Sequence, residues 1–267
     1  MESTINKVYN KINHLLGDQL FSPDISFIYS SMDVTDLSSA STNTEIEQLC
    51  SGILNDEEKI SYPAAVCFYP SKLDIAFKYF RGTPVKIAVV AAGFPHGQID
   101  LLSKLFEIEE LVKKGVDEID IVLNVPDALQ GNFDKIFDEI KSIKSIIGKI
   151  KIKVILEVNI LNDLDLISKV SHTCLNAGAD CIKTSTGKEG SIATPEAAIA
   201  MCIAIKEFYE KTGVKKAFKV AGGISDIPMA SLYIEIVREV LGEDWLQPDL
   251  FRIGASRLRN KIIETLK

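Results

Sequence analysis

The chain has 267 residues, 46% of them apolar and 25% charged, the composition of a globular protein able to bury a large core rather than of a disordered segment. Its formal charge is −7 and the basic residues are scattered, so it lacks the electrostatic footprint of a nucleic-acid binder and no such partner is expected. No apolar run approaches the roughly 20 residues a spanning helix needs, so no membrane partner is expected and the protein should stay in the cytoplasm.

The first residues, MESTINKVYNKINHLL, set Ile5, Val8, Ile12 and Leu15 at helical spacing and read as an amphipathic helix, part of a helical extension over 1–25. Short β-rich runs then alternate with amphipathic helical stretches. Eight strands are expected: 32–36 (MDVTD), 64–69 (AAVCFY), 85–91 (VKIAVVA), 118–123 (EIDIVL), 151–157 (KIKVILE), 180–184 (DCIKT), 216–220 (KAFKV) and 251–254 (FRIG), most of them rich in Val, Ile or Phe. Among the intervening helices, Leu101, Leu105, Ile108 and Val112 fall on one apolar stripe. Ser71 with Asp74 resembles a capping box, Thr194 is an N-cap with Pro195 at the first helical position, and Gly178 is a C-terminal stop.

An unbroken strand–helix series with no linker or low-complexity tract implies one α/β domain with a parallel sheet, and eight units favour a (β/α)8 TIM barrel over 1–267. An open doubly wound sheet would show a Gly-rich nucleotide fingerprint after an early strand, and none is present. The five cysteines (Cys50, Cys67, Cys174, Cys181, Cys202) form no CxxC pair and sit mostly in apolar runs, as small core residues of a reducing compartment do. With three histidines far apart in sequence and no HxxxH spacing, neither a catalytic thiol nor a zinc site is expected.

Side chains alternate faces along a strand, so parity separates residues that face the outer helices from those that face the barrel interior. In 118–123 the outward set is Ile119, Ile121 and Leu123, which turns Glu118 and Asp120 inward. By the same count Cys181 and Lys183, Ala217 and Lys219, and Lys151, Lys153 and Glu157 face inward. Buried charges are costly unless paired, so they read either as a structural ion-pair cluster or as chemistry. Lys183 and Lys219 lie toward the C-terminal ends of adjacent strands, the face where barrel enzymes keep their active sites. Two neighbouring ammonium groups repel, and lowering a lysine pKa by three units, about 4 kcal/mol, would supply the neutral amine that attacks a carbonyl. After the sixth, seventh and eighth strands come three small polar loops, TSTGK (184–188), AGG (221–223) and GAS (254–256), where backbone N–H groups can approach a phosphate. An anion grip beside an activated amine suits a phosphorylated sugar.

DCIKTSTGK (180–188) and FKVAGG (218–223) resemble the two lysine-bearing motifs of deoxyribose-phosphate aldolases. AAVCFYP (64–70), GFPHG (93–97), DEIDIVLN (117–124), KVILE (153–157) and RIGAS (252–256) resemble further motifs of that family in the same order, from about Asp33 to Ser256. The resemblance implies a lyase that reversibly cleaves 2-deoxy-D-ribose 5-phosphate to D-glyceraldehyde 3-phosphate and acetaldehyde through a lysine imine, with no metal and no cofactor. It implies that Lys183 forms the Schiff base, Lys219 holds down its pKa and Asp120 moves protons. It places Asp33, Thr35 and Thr186 at the sugar, with Asp33 paired to the second lysine, and Gly187, Lys188, Gly222, Gly223, Gly254 and Ser256 at the phosphate. Lys153 shares the interior parity, either paired with Asp120 or in a lower structural position. A homodimer is the family's expectation.

Three features depart from the family pattern. Arg257 stands where many members have a second small hydroxyl residue, EVN (157–159) replaces Glu-Thr-Gly, and the chain ends LRNKIIETLK without a tail tyrosine. The alternatives are another lysine-dependent sugar-phosphate aldolase and a catalytically silent phosphosugar-binding barrel.

Overall fold

The computed structural model describes residues 2–17, 24–56, 58 and 60–266. Eight parallel strands, β1 (Met32–Asp36), β2 (Ala65–Phe68), β3 (Lys86–Ala91), β4 (Glu118–Val122), β5 (Lys151–Ile155), β6 (Cys181–Lys183), β7 (Ala217–Ala221) and β8 (Phe251–Ala255), close in sequence order into one barrel. Helices run between them on the outside, which is the (β/α)8 architecture expected. The alternation in the strands explains the layering. Outward residues such as Val66, Phe68, Ile119, Ile121, Ile152, Val154, Phe218 and Val220 join the large apolar layer under the helices. The inward residues of β2 and β3, Ala65, Cys67, Ala88 and Val90, form a separate small apolar cluster with Leu37. The other strands turn mostly charged side chains inward, with small residues such as Cys181 and Ala217 among them.

Several strand ends shift by one or two residues from expectation, and two of the shifts bear on the site. β5 stops at Ile155 because Glu157 takes a left-handed conformation (φ 59°, ψ 56°) and leads into the short helix Val158–Leu161. β8 runs one residue further, to Ala255, so Gly254 lies inside the strand rather than at its end and only Ser256 of the GAS run follows it.

The helix signals fared unevenly. Thr194 caps Pro195–Thr212, accepting from the Ala197 N–H, and Gly178 (φ +108°) follows Leu164–Asn176, where the Ala179 N–H bonds the Cys174 carbonyl. The capping box at Ser71 and Asp74 does not form: Pro70–Lys72 is a 3-10 turn, so Ser71 lies inside it, and Lys72 precedes the helix Leu73–Phe80 with no side-chain cap. The buried face of Leu101–Lys114 is Lys104, Ile108 and Leu111; Leu105 and Val112 are half-buried and Leu101 is exposed. The apolar pattern missed this rotation because Lys104 is fully buried, donating to both oxygens of Glu139 on the neighbouring helix Phe133–Ile146 at 2.8 Å.

The N-terminal helix spans Glu2–Gly17 and lies against Pro195–Thr212 and Ile227–Leu241, burying Ile5 and Ile12 with Val8 at its edge. The side chain of Leu15 and residues 18–23 lie outside the described residues. A further helix, Ile25–Ser30, was not expected; Asp24 caps it and Tyr29 is buried. No described helix is long and apolar enough to cross a membrane. All five cysteines are free and buried, and burial pushes their thiols up, Cys67 to about 11 and Cys181 to about 12, the opposite of what a nucleophilic thiol needs.

Candidate active site

The barrel register sets the inward charges side by side. Asp120 is opposite Lys153, Lys183 opposite Lys219, Lys219 opposite Arg252, and Gly254 opposite Asp33. Asp120 is the hub: Oδ1 accepts from Lys153 Nζ at 2.7 Å, and Oδ2 accepts from Lys183 Nζ and from Lys219 Nζ, each at 2.9 Å. Lys219 also pairs with Asp33. Lys153 reaches Glu118 at 2.6 Å and Asp33 at 3.3 Å. Arg252 donates to Asp33 at 2.6 Å and to both oxygens of Glu118 at 2.8 and 3.2 Å. All seven side chains are buried, a placement that costs several kcal/mol per ion unless each is paired, as each is here.

Burial alone would raise the three carboxyls, and the cations reverse this. Lys153, Lys219 and Arg252 hold Asp33 far below the ordinary range, Lys153, Lys183 and Lys219 do the same to Asp120, and Lys153 and Arg252 lower Glu118. Burial would likewise lower Lys153 and Lys219, yet the carboxylates raise both. This corrects the expectation of two ammonium groups in open repulsion. The two amines share one carboxylate oxygen, and Lys219, gripped by Asp33 as well, is the firmly charged member.

A cleft of about 340 Å³ opens above the cluster at the C-terminal ends of the strands. Thr35, Lys183, Thr186, Gly187, Lys188, Gly222, Gly223, Gly254 and Ser256 all line it. Asp120, Lys219 and Asp33 lie beneath it; the Asp33 carboxylate is fully buried and engaged by three cations, a position for holding Lys219 rather than for touching a sugar. Of the three interior lysines, only Lys183 reaches the cleft. Arg257 stands at the same end as Ser256 and Gly223.

One glycine is required where it stands and another is closely packed. A Cβ on Gly222, whose φ is +92°, would lie 2.7 Å from the Ser191 carbonyl oxygen. One on Gly254 would lie 3.0 Å from both Lys219 Cε and Ala221 Cβ, a tight fit beside the path of the lysine.

Sequence reasoning left Arg252 without a role, although the parity that turns Ile253 outward turns Arg252 inward. Lys153 was left between two positions and occupies both, bonding Asp120 above and Glu118 below. Glu157 was assigned to the interior by parity, but its left-handed backbone breaks the alternation and swings the carboxylate to Thr186 and Ser191.

A family model described as DeoC/LacD family aldolase matches residues 27–261. The deoxyribose-phosphate aldolase of Homo sapiens is 40% identical over 244 residues, covering 86% of this chain and 77% of that one; the Mus musculus protein of the same name is 39% identical over the same shares. A tetrameric deoxyribose phosphate aldolase structure from Aeropyrum pernix, 24% identical, superposes with a TM-score of 0.73 over 95% of this chain and 96% of its own, a likeness of fold. With the barrel, the buried lysines and the glycine-lined cleft already in place, these matches establish that the chain belongs to the DeoC/LacD family of aldolases.

Proposed function

We propose that the protein is a lyase that reversibly cleaves 2-deoxy-D-ribose 5-phosphate to D-glyceraldehyde 3-phosphate and acetaldehyde through an imine on Lys183. One observation carries this: Lys183 is the one interior lysine that opens on the cleft, and its Nζ rests on a buried carboxylate. The cluster holds four cationic side chains against three carboxylates, so its charges balance when one amine is neutral. Lys183 has a single carboxylate contact, whereas Lys153, Lys219 and Arg252 are each gripped by two or more.

The neutral Lys183 amine adds to the aldehyde carbon and water leaves, forming an iminium. As the hydroxyl on the third carbon loses its proton, the bond between the second and third carbons breaks. Its electron pair flows into the iminium, giving an enamine and releasing D-glyceraldehyde 3-phosphate. Protonation of the enamine and hydrolysis of the imine return acetaldehyde and the free amine. Asp120 is the proton carrier beside Nζ; three cations keep it ionised, so it passes a proton on through water rather than storing it. Lys219 supplies the fixed positive charge, held by Asp33. Thr35 and Thr186 face the sugar, while the backbone of Gly187, Gly222, Gly223 and Gly254 with Lys188 and Ser256 receives the phosphate. A reduced, cytoplasmic setting and a homodimer accompany this proposal.

A coupled assay with 2-deoxy-D-ribose 5-phosphate is the test: acetaldehyde release by the wild type and its loss in Lys183→Leu are expected. Cleavage of an oxidised sugar-acid phosphate instead would point to a different aldolase, and phosphosugar binding without turnover to a silent barrel.

A further inference from the structure

We infer that Glu157 is a positioning residue that fixes the hydrogen-bond polarity of Thr186, so that the cleft selects a substrate hydroxyl able to donate at that point. A threonine hydroxyl offers one proton and two lone pairs. The Thr186 proton goes to Glu157 Oε2 at 2.6 Å, and one lone pair takes the Lys188 backbone N–H at 3.1 Å. What remains for the cleft is one lone pair, which accepts and cannot donate.

Glu157 is built for this task. Its side chain is 4% exposed, and among the described residues it has no ion pair with a cation. Its other oxygen, Oε1, accepts from the Thr186 N–H at 3.3 Å and from the Ser191 hydroxyl. The carboxylate is aimed across from β5 by a left-handed backbone at a non-glycine residue, a conformation that persists only where surroundings enforce it. Thr186 stands on the loop between Lys183 and Gly187 and lines the cleft together with both. On the proposed reaction, on which this inference rests, the hydroxyl that passes this point and takes no part in bond change is that of the three-carbon fragment, on the carbon beside its aldehyde.

Glutamine at position 157 reverses the polarity. The Thr186 backbone N–H requires the amide oxygen at the Oε1 position, which turns the amide NH2 toward Thr186 Oγ1. The threonine then accepts from Gln and from Lys188, and its proton is free for the cleft. The experiment is run in the synthetic direction, with acetaldehyde and either D-glyceraldehyde 3-phosphate or its analogue with fluorine replacing the hydroxyl, a group that cannot donate. The ratio of kcat/KM for hydroxyl over fluorine is compared between wild type and Glu157→Gln, which cancels the intrinsic reactivity of the two aldehydes. The ratio is expected to fall about tenfold in the variant, the worth of one hydrogen bond. An unchanged ratio would overturn the inference. Thr186→Val gives a second reading if Glu157→Gln does not fold: the ratio should drop by a similar factor, and a wild-type ratio there also overturns it. A wild type inactive with the natural pair removes the proposed function and this inference together; an active wild type with an unmoved ratio removes the inference alone.

Discussion

Lys219 and Arg252 show how the buried cluster divides its labour. Lys219→Leu removes the fixed positive charge beside Lys183 and leaves Asp33 and Asp120 each one cation short. Activity should fall about tenfold or more, read as kcat/KM. An unchanged kcat/KM would show that the second cation plays no part in the reaction. Arg252→Leu leaves Glu118 with one cation and Asp33 with two, and breaking such a buried pair should cost about 3–5 kcal/mol, read as a lower urea midpoint. Lys183, Lys219 and Asp120 were legible from strand parity because Asp120 and Lys219 sit between outward Ile, Phe or Val residues and Lys183 follows the outward Ile182. Asp33 was legible only as a resemblance. Their pairing was not legible, because parity says which face a side chain takes but not how far along the barrel axis its charged end reaches. That distance decides that Asp120 meets three amines and screens the two it was expected to let repel.

At the scale of elements, the strands were the clearest signal and their ends the weakest. Eight runs rich in β-branched and aromatic residues mark the eight strands to within two residues at each end, but nothing in KIKVILE announces that Glu157 turns left-handed and ends β5 early. Thr194 with Pro195 fixes a helix start by local chemistry that tertiary packing has no reason to override. The stripe on Leu101–Lys114 failed for the reverse reason: a lysine held by Glu139 from another helix fills the buried centre of the face, and a single-helix pattern cannot see its partner. The loops after β6 and β7 are locked together at Gly222, where the φ of +92° and the close Ser191 carbonyl leave no room for a side chain. Gly222→Ala should therefore displace the phosphate end of the cleft. A KM for the phosphorylated substrate raised about tenfold or more is expected, with far less effect on unphosphorylated 2-deoxyribose, since a lost charge-assisted contact weakens phosphate binding selectively. Equal losses on both substrates would point to general collapse instead.

For the whole molecule, the barrel was readable because its rhythm of buried strand and amphipathic helix runs the length of the chain, and closure follows from the count. The charged interior leaves a signature on stability. Asp33, Glu118 and Asp120 lie below their unfolded values near about 4, so the unfolded chain binds more protons in acid; their stabilisation is present above that value and is lost as pH falls through the folded ones. Lys153 and Lys219 are raised, so their contribution is present below about 10.4 and disappears as pH climbs through the folded values. Urea unfolding should show a plateau from about pH 5 to 8, a fall on the acid side, and a fall on the alkaline side that begins where the unfolded chain's thiols ionise while the five buried ones keep their protons; a steep slope across neutral pH would contradict the paired cluster. The reaction itself stands on a covalent bond at one nitrogen. Reduction of the enzyme with borohydride in the presence of 2-deoxy-D-ribose 5-phosphate, followed by peptide mass spectrometry, should find the trapped adduct on Lys183, whereas no adduct, or one on Lys153 or Lys219 alone, would contradict the mechanism.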